Sequence, residues 1–271
     1  RTPMNAVIGF TTLLAKDAEN PDKVREYTKK IMASGQHLLG LINDILEVSK
    51  IESGKLVLTE EEFALADLIS SIDAIIRPMA GEKDQEFHVE ITDIEHEYFI
   101  GDETRINQIL INLLSNAVKY TQKGGNIWLR IIGLKQHSGQ FERIRIEVED
   151  DGYGMTQEYL KTIFDVFTRA ENSTTNKVQG TGLGMAITKN IVDMMGGTIQ
   201  VESEVGKGTE FTVILECETS GVTVKREPIP ELKGARALVV DDDAETCMSV
   251  SKMLREIEMT ADWTTSGKEA V

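Results

Sequence analysis

Gln108 to Thr121 reads QILINLLSNAVKYT, and the rest of the chain is organised around it. Leu110, Leu113, Leu114 and Ala117 recur at the i, i+3, i+4, i+7 spacing of one helical face, and Val118 widens the stripe. Asn112 and Asn116 stand one turn apart, with Lys119 and Tyr120 a further turn on. One helical surface therefore carries two amides, an ammonium and a phenol ring. Alone, that surface reads equally well as a solvated helix face. The balance is changed by three motifs downstream: Asp150-Asp151-Gly152-Tyr153-Gly154, Gly180-Thr181-Gly182-Leu183-Gly184 and Gly206-Lys207-Gly208-Thr209.

The chain has 271 residues, 41% of them hydrophobic, enough for a packed core and about two domains. A formal net charge of −16 opposes binding to nucleic acid or an anionic membrane through the overall field. No apolar run approaches the ~18 residues of a membrane helix, so any membrane attachment is expected only through segments outside this chain. Cys217 and Cys247 are too few for a disulfide framework and lack metal-ligand spacing, which fits a reducing, cytoplasmic setting.

Residues 1 to 18 read as helix, with Met4, Val7, Ile8, Leu14 and Ala15 apolar and Pro3 in the first turn. Asn20-Pro21-Asp22 is a stop followed by a cap, and a second helix is expected to about Glu52. Val24, Ile31, Leu38 and Ile45 recur every seven residues, interleaved with Thr28, Gly35, Ile42 and Ser49. A helix of about 30 residues is roughly 45 Å long and needs partners along its seam. The economical arrangement is an antiparallel hairpin over residues 1–57, doubled into a four-helix homodimer.

From Ser53-Gly54 the pattern changes. Leu56 and Leu58, then Phe87, Val89 and Ile91, alternate as strands do, and Leu65 to Met79 reads as helix. Ile127 to Ile132, Ile144 to Val148, Thr198 to Val201 and Phe211 to Leu215 read as strands, and Leu183 to Met195 as helix. Without a regular βαβ rhythm, residues 58–220 are expected to form an α/β sandwich with helices on one face of a mixed sheet. Thr168 to Gln179 is polar and aperiodic between glycine motifs, as a lid is. Residues 221–234 are a linker. In residues 235–271, Ala237 to Val240 is a short strand ending in Asp241-Asp242-Asp243, followed by an amphipathic helix through Val250, Met253, Leu254 and Ile257.

These residue types suit a nucleotide. A carboxylate such as Asp150 at a strand end can accept hydrogen bonds from an amino group, while neighbouring glycines let backbone approach a flat ligand. A glycine turn opening a helix presents unpaired N–H groups and the positive end of the helix dipole to phosphate. The Asn116 carboxamide oxygen is a hard donor suited to Mg²⁺, and Lys119 can neutralise phosphate. Each motif alone has a plainer reading as a tight turn, and Gly206-Lys207-Gly208-Thr209 as a hairpin turn.

The ordered set NLLSNAVKYT, DDGYG, IFDVF, GTGLG and GKGT, behind a helical hairpin, closely resembles the sensor histidine kinases of two-component signalling. Their catalytic domain has the Bergerat ATP-binding fold shared with type II topoisomerases, mismatch-repair ATPases and heat-shock chaperones. The resemblance implies ATP and Mg²⁺ as cofactors. Asn116 then ligates Mg²⁺ with Asn112 in support, Lys119 touches phosphate, Tyr120 packs near adenine and Asp150 holds the adenine amino group. Gly152 and Gly154 admit the ring. Gly180, Gly182 and Gly184 anchor the lid, with Thr181, Leu183 and Thr209 among the nucleotide-binding positions. Phe164 and Phe167 match the F box, read equally as core residues three apart on a short helix, and Arg169 beside them is a candidate γ-phosphate contact.

In that family the acceptor lies in His-Glu-x-Arg-Thr-Pro, and this chain begins Arg1-Thr2-Pro3. The acceptor histidine is therefore expected immediately upstream of Arg1, and Thr2 occupies the position associated with phosphatase activity. His37, His88, His96 and His137 do not match the acceptor motif. Residues 235–271 resemble the first part of a doubly wound α/β receiver domain, with Asp241 and Asp242 as its acidic Mg²⁺ pair; an acidic turn capping a helix is the alternative. The resemblance implies a hybrid kinase whose partner is a receiver domain, its own or separate. Two other readings compete, a hydrolytic Bergerat ATPase clamp and a non-catalytic nucleotide-binding scaffold. By resemblance the hydrolytic relatives carry a glutamate base one turn before the metal asparagine, where this chain has Asn112. An amide cannot take a proton from water at neutral pH.

Overall fold

The computed structural model describes residues 2–134, 140–168, 181–220, 232–241, 243–256 and 259–267. The chain divides into two compact units, Arg1–Gly221 and Val222–Val271. The first unit opens with a helical hairpin of α1 (Thr2–Lys16) and α2 (Pro21–Glu52). Asn20 caps α2 by accepting from the Lys23 N–H at 3.2 Å, with Pro21 and Asp22 in the first turn where they fit best. Asp17 ties the turn down, accepting from Lys23 Nζ at 3.2 Å and the Tyr27 hydroxyl at 3.0 Å. Phe10 stacks on Tyr27 with ring centroids 6.1 Å apart, which sets the register of the hairpin. The helix ends in a Schellman motif: Gly54 takes φ +64°, its N–H reaches Ile51 O, and the Lys55 N–H reaches Lys50 O.

The seam differs from the expected one. Val24 and Ile31 do face α1, but they alternate with Tyr27 and Ser34, and Leu38 and Leu41 are half-buried beyond the level at which α1 begins; Thr28, Gly35, Ile42, Ser49 and also Ile45 are exposed in the single chain. In α1 the inward residues are Ala6, Val7, Phe10 and Leu14, while Met4, Ile8 and Ala15 point outward. A two-helix hairpin covers only one stripe of each helix, so a second apolar stripe is left bare on α2, through Met32, Leu39, Ile42 and Leu46.

Beyond the hairpin, residues 55–60 are irregular. The strand expected at Leu56 and Leu58 does not form; Leu56 is buried without a sheet partner, and β1 (Glu61–Ala64) starts three residues past Leu58. There follow α3 (Leu65–Gly81), β2 (Glu86–Thr92), β3 (Tyr98–Gly101), α4 (Glu103–Tyr120), β4 (Asn126–Leu134), β5 (Phe141–Asp150), α5 (Gln157–Leu160), α6 (Gly184–Met194), β6 (Thr198–Glu204) and β7 (Gly208–Thr219). The seven strands form one mixed sheet in the order β1-β3-β7-β5-β4-β2, with β6 also on β7. Only β2 and β4 run parallel; the other pairs are antiparallel. Strand β7 pairs with β5 along one edge and shares the other between β6 and β3.

Alternation decides the faces. Ile127, Leu129 and Ile131 of β4, Ile144, Ile146 and Val148 of β5, and Val213 and Leu215 of β7 point into the core. The helices meet them with Leu68, Ile72 and Ile76 of α3, Ile109, Leu113, Leu114 and Ala117 of α4, and Ile187 and Ile191 of α6. The opposite sheet face is charged: Arg130 binds Glu149 at 2.6 Å and approaches Glu90 at 3.4 Å. The α/β sandwich expected from the sequence is present, with β3 and the first turn of α4 as elements that the sequence reading did not include. The polar connection 135–139 lies outside the described residues, as does most of the expected lid.

The second unit holds β8 (Arg236–Val240), α7 (Ala244–Glu256) and β9 (Thr260–Thr264). The two strands pair in parallel around the helix, a βαβ unit whose second strand was not read from the sequence. Ile257 lies outside the described residues. Asp243 caps α7, accepting from Thr246 N at 2.9 Å and Thr246 Oγ1 at 2.7 Å.

Burial separates two isoleucines of like size. Ile109→Ala removes fully buried atoms from the core and is expected to cost about 2–5 kcal/mol in urea unfolding. Ile8→Ala, at a position 59% exposed, is expected to change monomer stability by no more than about 0.5 kcal/mol.

Candidate functional site

Helix α4 forms the floor of a cavity of about 450 Å³. Its apolar face packs on the sheet, so Asn112, Asn116, Lys119 and Tyr120 are left along the cavity wall. Both ends of the helix are fixed. Asp102 caps the N-terminus, accepting from Arg105 N at 3.0 Å and, from residue 59 outside the helix, Thr59 N at 2.9 Å. At the C-terminus Lys83 Nζ donates to Val118 O at 2.8 Å and Lys119 O at 3.1 Å. Gln85 Nε2 donates to Val118 O and Thr121 O. A cation and an amide thereby satisfy carbonyls that the helix cannot pair itself. Lys83 and Gln85 carry no local motif, and sequence reading missed them.

Two adjacent carboxylates part company at the end of β5. Asp150 points into the cavity, is 7% exposed, and accepts from the Gly152 N–H at 2.9 Å. Asp151 is exposed and binds Asn126 through N and Nδ2, both at 2.8 Å, pinning the start of β4. Burial pushes the Asp150 carboxyl up to about 6, against the opposing pull of backbone N–H groups at Gly152 and Thr209. Two backbone donors leave the charge of such a buried carboxylate incompletely compensated, which suits it to a ligand N–H.

The neighbouring glycines turn out to admit protein backbone. A Cβ on Gly154, at φ +61°, would lie 1.9 Å from Glu204 O, and one on Gly152 would lie 2.5 Å from Tyr120 O. The Asp-Gly turn is therefore wedged between the end of α4 and the β6–β7 hairpin; Tyr153 N bonds Tyr120 O and Gly206 N bonds Tyr153 O. Thr209, buried, lines the cavity with its hydroxyl 3.0 Å from Ser203 Oγ.

Helix α6 supplies the opposite wall. Thr181 and Gly182 line the cavity, Leu183 is buried, and Gly184 opens the helix so close to α4 that a Cβ there would sit 2.4 Å from Asn112 Oδ1. Asn112 Nδ2 donates to Thr188 Oγ1 at 2.7 Å, while Asn116 Nδ2 makes only a 3.5 Å contact with Met185 Sδ. Among the described residues no hydrogen bond takes the Asn116 carboxamide oxygen, so it is one acceptor open to a cation. Lys119 Nζ lies 4.9 Å from the Tyr120 ring centre.

Several expected positions fall elsewhere. Phe164 and Phe167 do not share a helix, because α5 ends at Leu160. Phe164 packs on the core; Phe167 is 65% exposed at φ +63°, its N–H bonded to Gly182 O at 2.9 Å. Arg169, Gly180 and Asp242 lie outside the described residues, and of Thr2 only its place at the start of α1 is described. Asp241, at the end of β8, accepts from Asp243 N at 3.0 Å. A second open cavity of about 470 Å³ shares Asp150 and Thr209, but Glu149, Glu202, Glu204 and Glu210 line it against the single Lys207. Its charge is wrong for a phosphate ligand.

A helical hairpin followed by a mixed-sheet sandwich, with a buried acid and an amide-lined helix in one cavity, is an arrangement suited to a nucleotide. Residues 1–54 match the His Kinase A (phospho-acceptor) domain family, and residues 101–219 match the histidine kinase-, DNA gyrase B- and HSP90-like ATPase family. The whole chain is 35% identical to the autoinducer 2 sensor kinase/phosphatase LuxQ of Vibrio cholerae, spanning 32% of that protein's length. Among solved structures, full-length ShkA in complex with AMPPNP superposes over 100% of this chain and 54% of its own (TM-score 0.64, 26% identity). Histidine kinase ThkA in complex with response regulator protein TrrA covers 80% of this chain and 58% of its own (TM-score 0.61, 27% identity). The chain thus carries the phospho-acceptor and ATPase domains found in sensor histidine kinases, over a stretch that spans about a third of these curated relatives' length.

Asp150 links site and stability. Its carboxyl titrates near 6 in the fold and near 3.8 when unfolded, so the folded state holds the extra proton between those values and loses stability as pH rises through them. At pH 7 the buried charge costs roughly 3 kcal/mol. Asp150→Asn should therefore raise the melting temperature at pH 7.5, with a gain that shrinks as pH falls below 6; a melting temperature lowered by the substitution at pH 7.5 would contradict this.

Proposed function

We propose that the cavity binds Mg-ATP and that the chain is the kinase core of a hybrid phosphorelay, transferring the γ-phosphoryl group to a histidine preceding Arg1. The observation that carries this reading is the buried Asp150 at one end of a cavity whose wall continues through Lys119, Asn116 and Asn112. In it, Asp150 accepts from the adenine amino group and Tyr120 lines the ring. Asn116 holds the cation through its oxygen, Lys119 neutralises phosphate, and Thr181, Gly182 and the start of α6 receive the phosphates with backbone N–H groups. Gly152, Gly154 and Gly184 serve by letting the wall segments close on one another, Leu183 and Thr209 by holding them. When bound, Mg²⁺ neutralises charge on the phosphate oxygens. The imidazole nitrogen attacks phosphorus, the bond to the bridging oxygen breaks, and ADP leaves with the electron pair. Arg169 and Gly180 are proposed to complete the γ-phosphate end and Phe164 and Phe167 to brace it.

The hydrolytic alternative is disfavoured at Asn112, whose amide donates to Thr188 and offers no base to activate water. The bare stripe through Met32, Leu39, Ile42 and Leu46 supports a homodimer through the hairpin. The βαβ unit with Asp241 at the carboxyl end of β8 supports a receiver domain begun in residues 235–271, in which Asp241 and Asp242 would hold Mg²⁺. Thr2 is the candidate for a phosphatase activity, a function named in its Vibrio relative. Among the described residues no helix is long and apolar enough to cross a membrane, and the proposed setting is the cytoplasm.

Titration calorimetry with ATP and Mg²⁺ tests the site. Losing a hydrogen bond to a charged group is expected to weaken ATP binding about 10- to 100-fold in Asp150→Asn, and undiminished affinity there would remove the adenine assignment. Because the amino donor favours the ionised carboxylate, wild-type affinity should fall as pH drops below about 6. Asn116→Ala should bind adenosine normally and lose the Mg²⁺-dependent part of ATP affinity. With the chain extended upstream of Arg1, labelled ATP should yield acid-labile, base-stable phosphoprotein; a lack of it overturns the kinase reading.

A further inference from the structure

The hairpin reaches the cavity. Near the end of α2, Glu47 accepts from Arg105 Nη1 and, at 2.7 Å, from Gln108 Nε2, both on the first turns of α4, and Val48 packs against the core. One turn earlier, Asp44 lines the cavity, as does Thr181 on the opposite wall, whose side chain helps to stabilise the Asp44 carboxylate. The other end of the cavity lies at the Asp150 turn, which meets α4 at Tyr120. From Gln108 to Tyr120 the helix rises roughly 18 Å, so the two carboxylates stand at opposite ends of a channel along α4.

On the nucleotide reading proposed above, adenine sits at Asp150 and the phosphates run past Asn116 towards Thr181. They run towards Asp44. We infer that Asp44 is a specificity-determining residue of the nucleotide site, supplied by the hairpin, which penalises ligands in proportion to the negative charge they carry to that end. Burial pushes the Asp44 carboxyl above its ordinary range, so its surroundings solvate the charge less well than bulk water does. Lys119 is the only cation among the described residues lining the cavity, and it lies about three turns or more along α4 from the Glu47 contacts. A triphosphate and the clasped hairpin therefore oppose each other, and by linkage each must weaken the other. Glu47 holds Asp44 in place without lining the cavity, so it acts as a positioning residue.

The test is affinity for adenosine, ADP and ATP, each with Mg²⁺, measured by calorimetry on the full chain. Asp44→Asn should tighten ATP by about three- to tenfold, ADP by less, and adenosine not at all, with the gain shrinking as salt rises. Glu47→Gln, which loosens the clasp but leaves the cavity's own residues unaltered, should tighten ATP in the same order of ligands. Thermal melts check that both variants fold. If ATP affinity is unchanged or weaker in both variants, or if adenosine gains as much as ATP, the inference is overturned while the nucleotide site stands. If neither wild type nor variants take up any adenine nucleotide, the proposed function fails and this inference with it.

Discussion

Helix α4 has to serve two environments at once, and the structure follows from how that is done. Its inner face is dry, with Ile109, Leu110, Leu113 and Leu114 at or near full burial. Its flank is a polar wall in which amide and ammonium groups must keep fixed directions. Packing alone sets rotation about the axis. The ends are set by Asp102, which bridges to Thr59, and by Lys83 and Gln85, which take up carbonyls at the other terminus. The helix is thereby tethered to the segment before β1 and to the turn before β2. Its position along its own axis cannot drift without breaking buried hydrogen bonds, each of which is costly to leave unmade.

The charge balance explains the kind of wall. With a formal net charge of −16, the chain's overall field repels a polyphosphate. A cluster of lysines would answer that field, but within a cavity of this size it would also carry a desolvation cost for each charge. The cavity instead presents two asparagines, backbone N–H groups at a helix start and one lysine. Neutral dipoles held by packing exert attraction at close range and add little to the field at long range. The buried Asp150 follows the same economy in reverse: its charge destabilises the fold and is only partly relieved by the backbone N–H groups of Gly152 and Thr209.

Much of this was legible in the sequence because it is local. The stripe Leu110, Leu113, Leu114, Ala117 and Val118 is buried as its spacing predicted, and the alternating strands β4, β5 and β7 were read from residues adjacent in the chain. What escaped depends on distant partners. Leu56 and Leu58 alternate like a strand, yet Thr59 N goes to Asp102 rather than to a neighbouring strand. Periodicity identifies apolar stripes on α2 without saying which one meets α1; Tyr27 decides it by stacking on Phe10. Asp44, Glu47, Lys83 and Gln85 have no signature at all, since each acts on a residue more than thirty positions away.

The hairpin's register gives the clasp its meaning. Phe10 stands level with Tyr27, so seven residues further from the turn on each helix Pro3 stands near the level of Ser34. Asp44 lies ten residues beyond Ser34, a rise of roughly 15 Å. A helical continuation of α1 upstream of Arg1 would climb the same interval, bringing its first turns between the level of Ser34 and that of Asp44. The end of the cavity assigned to the phosphates therefore faces the stretch of hairpin in which the proposed acceptor must lie. The same contact that brings the two together sets a carboxylate between them. On the reading proposed above, a transfer-competent arrangement would have to move Asp44 aside while keeping the approach. A rotation of α2 about its axis would swing a side chain one turn from Glu47 laterally, whereas sliding along the hairpin would carry the proposed acceptor away with it.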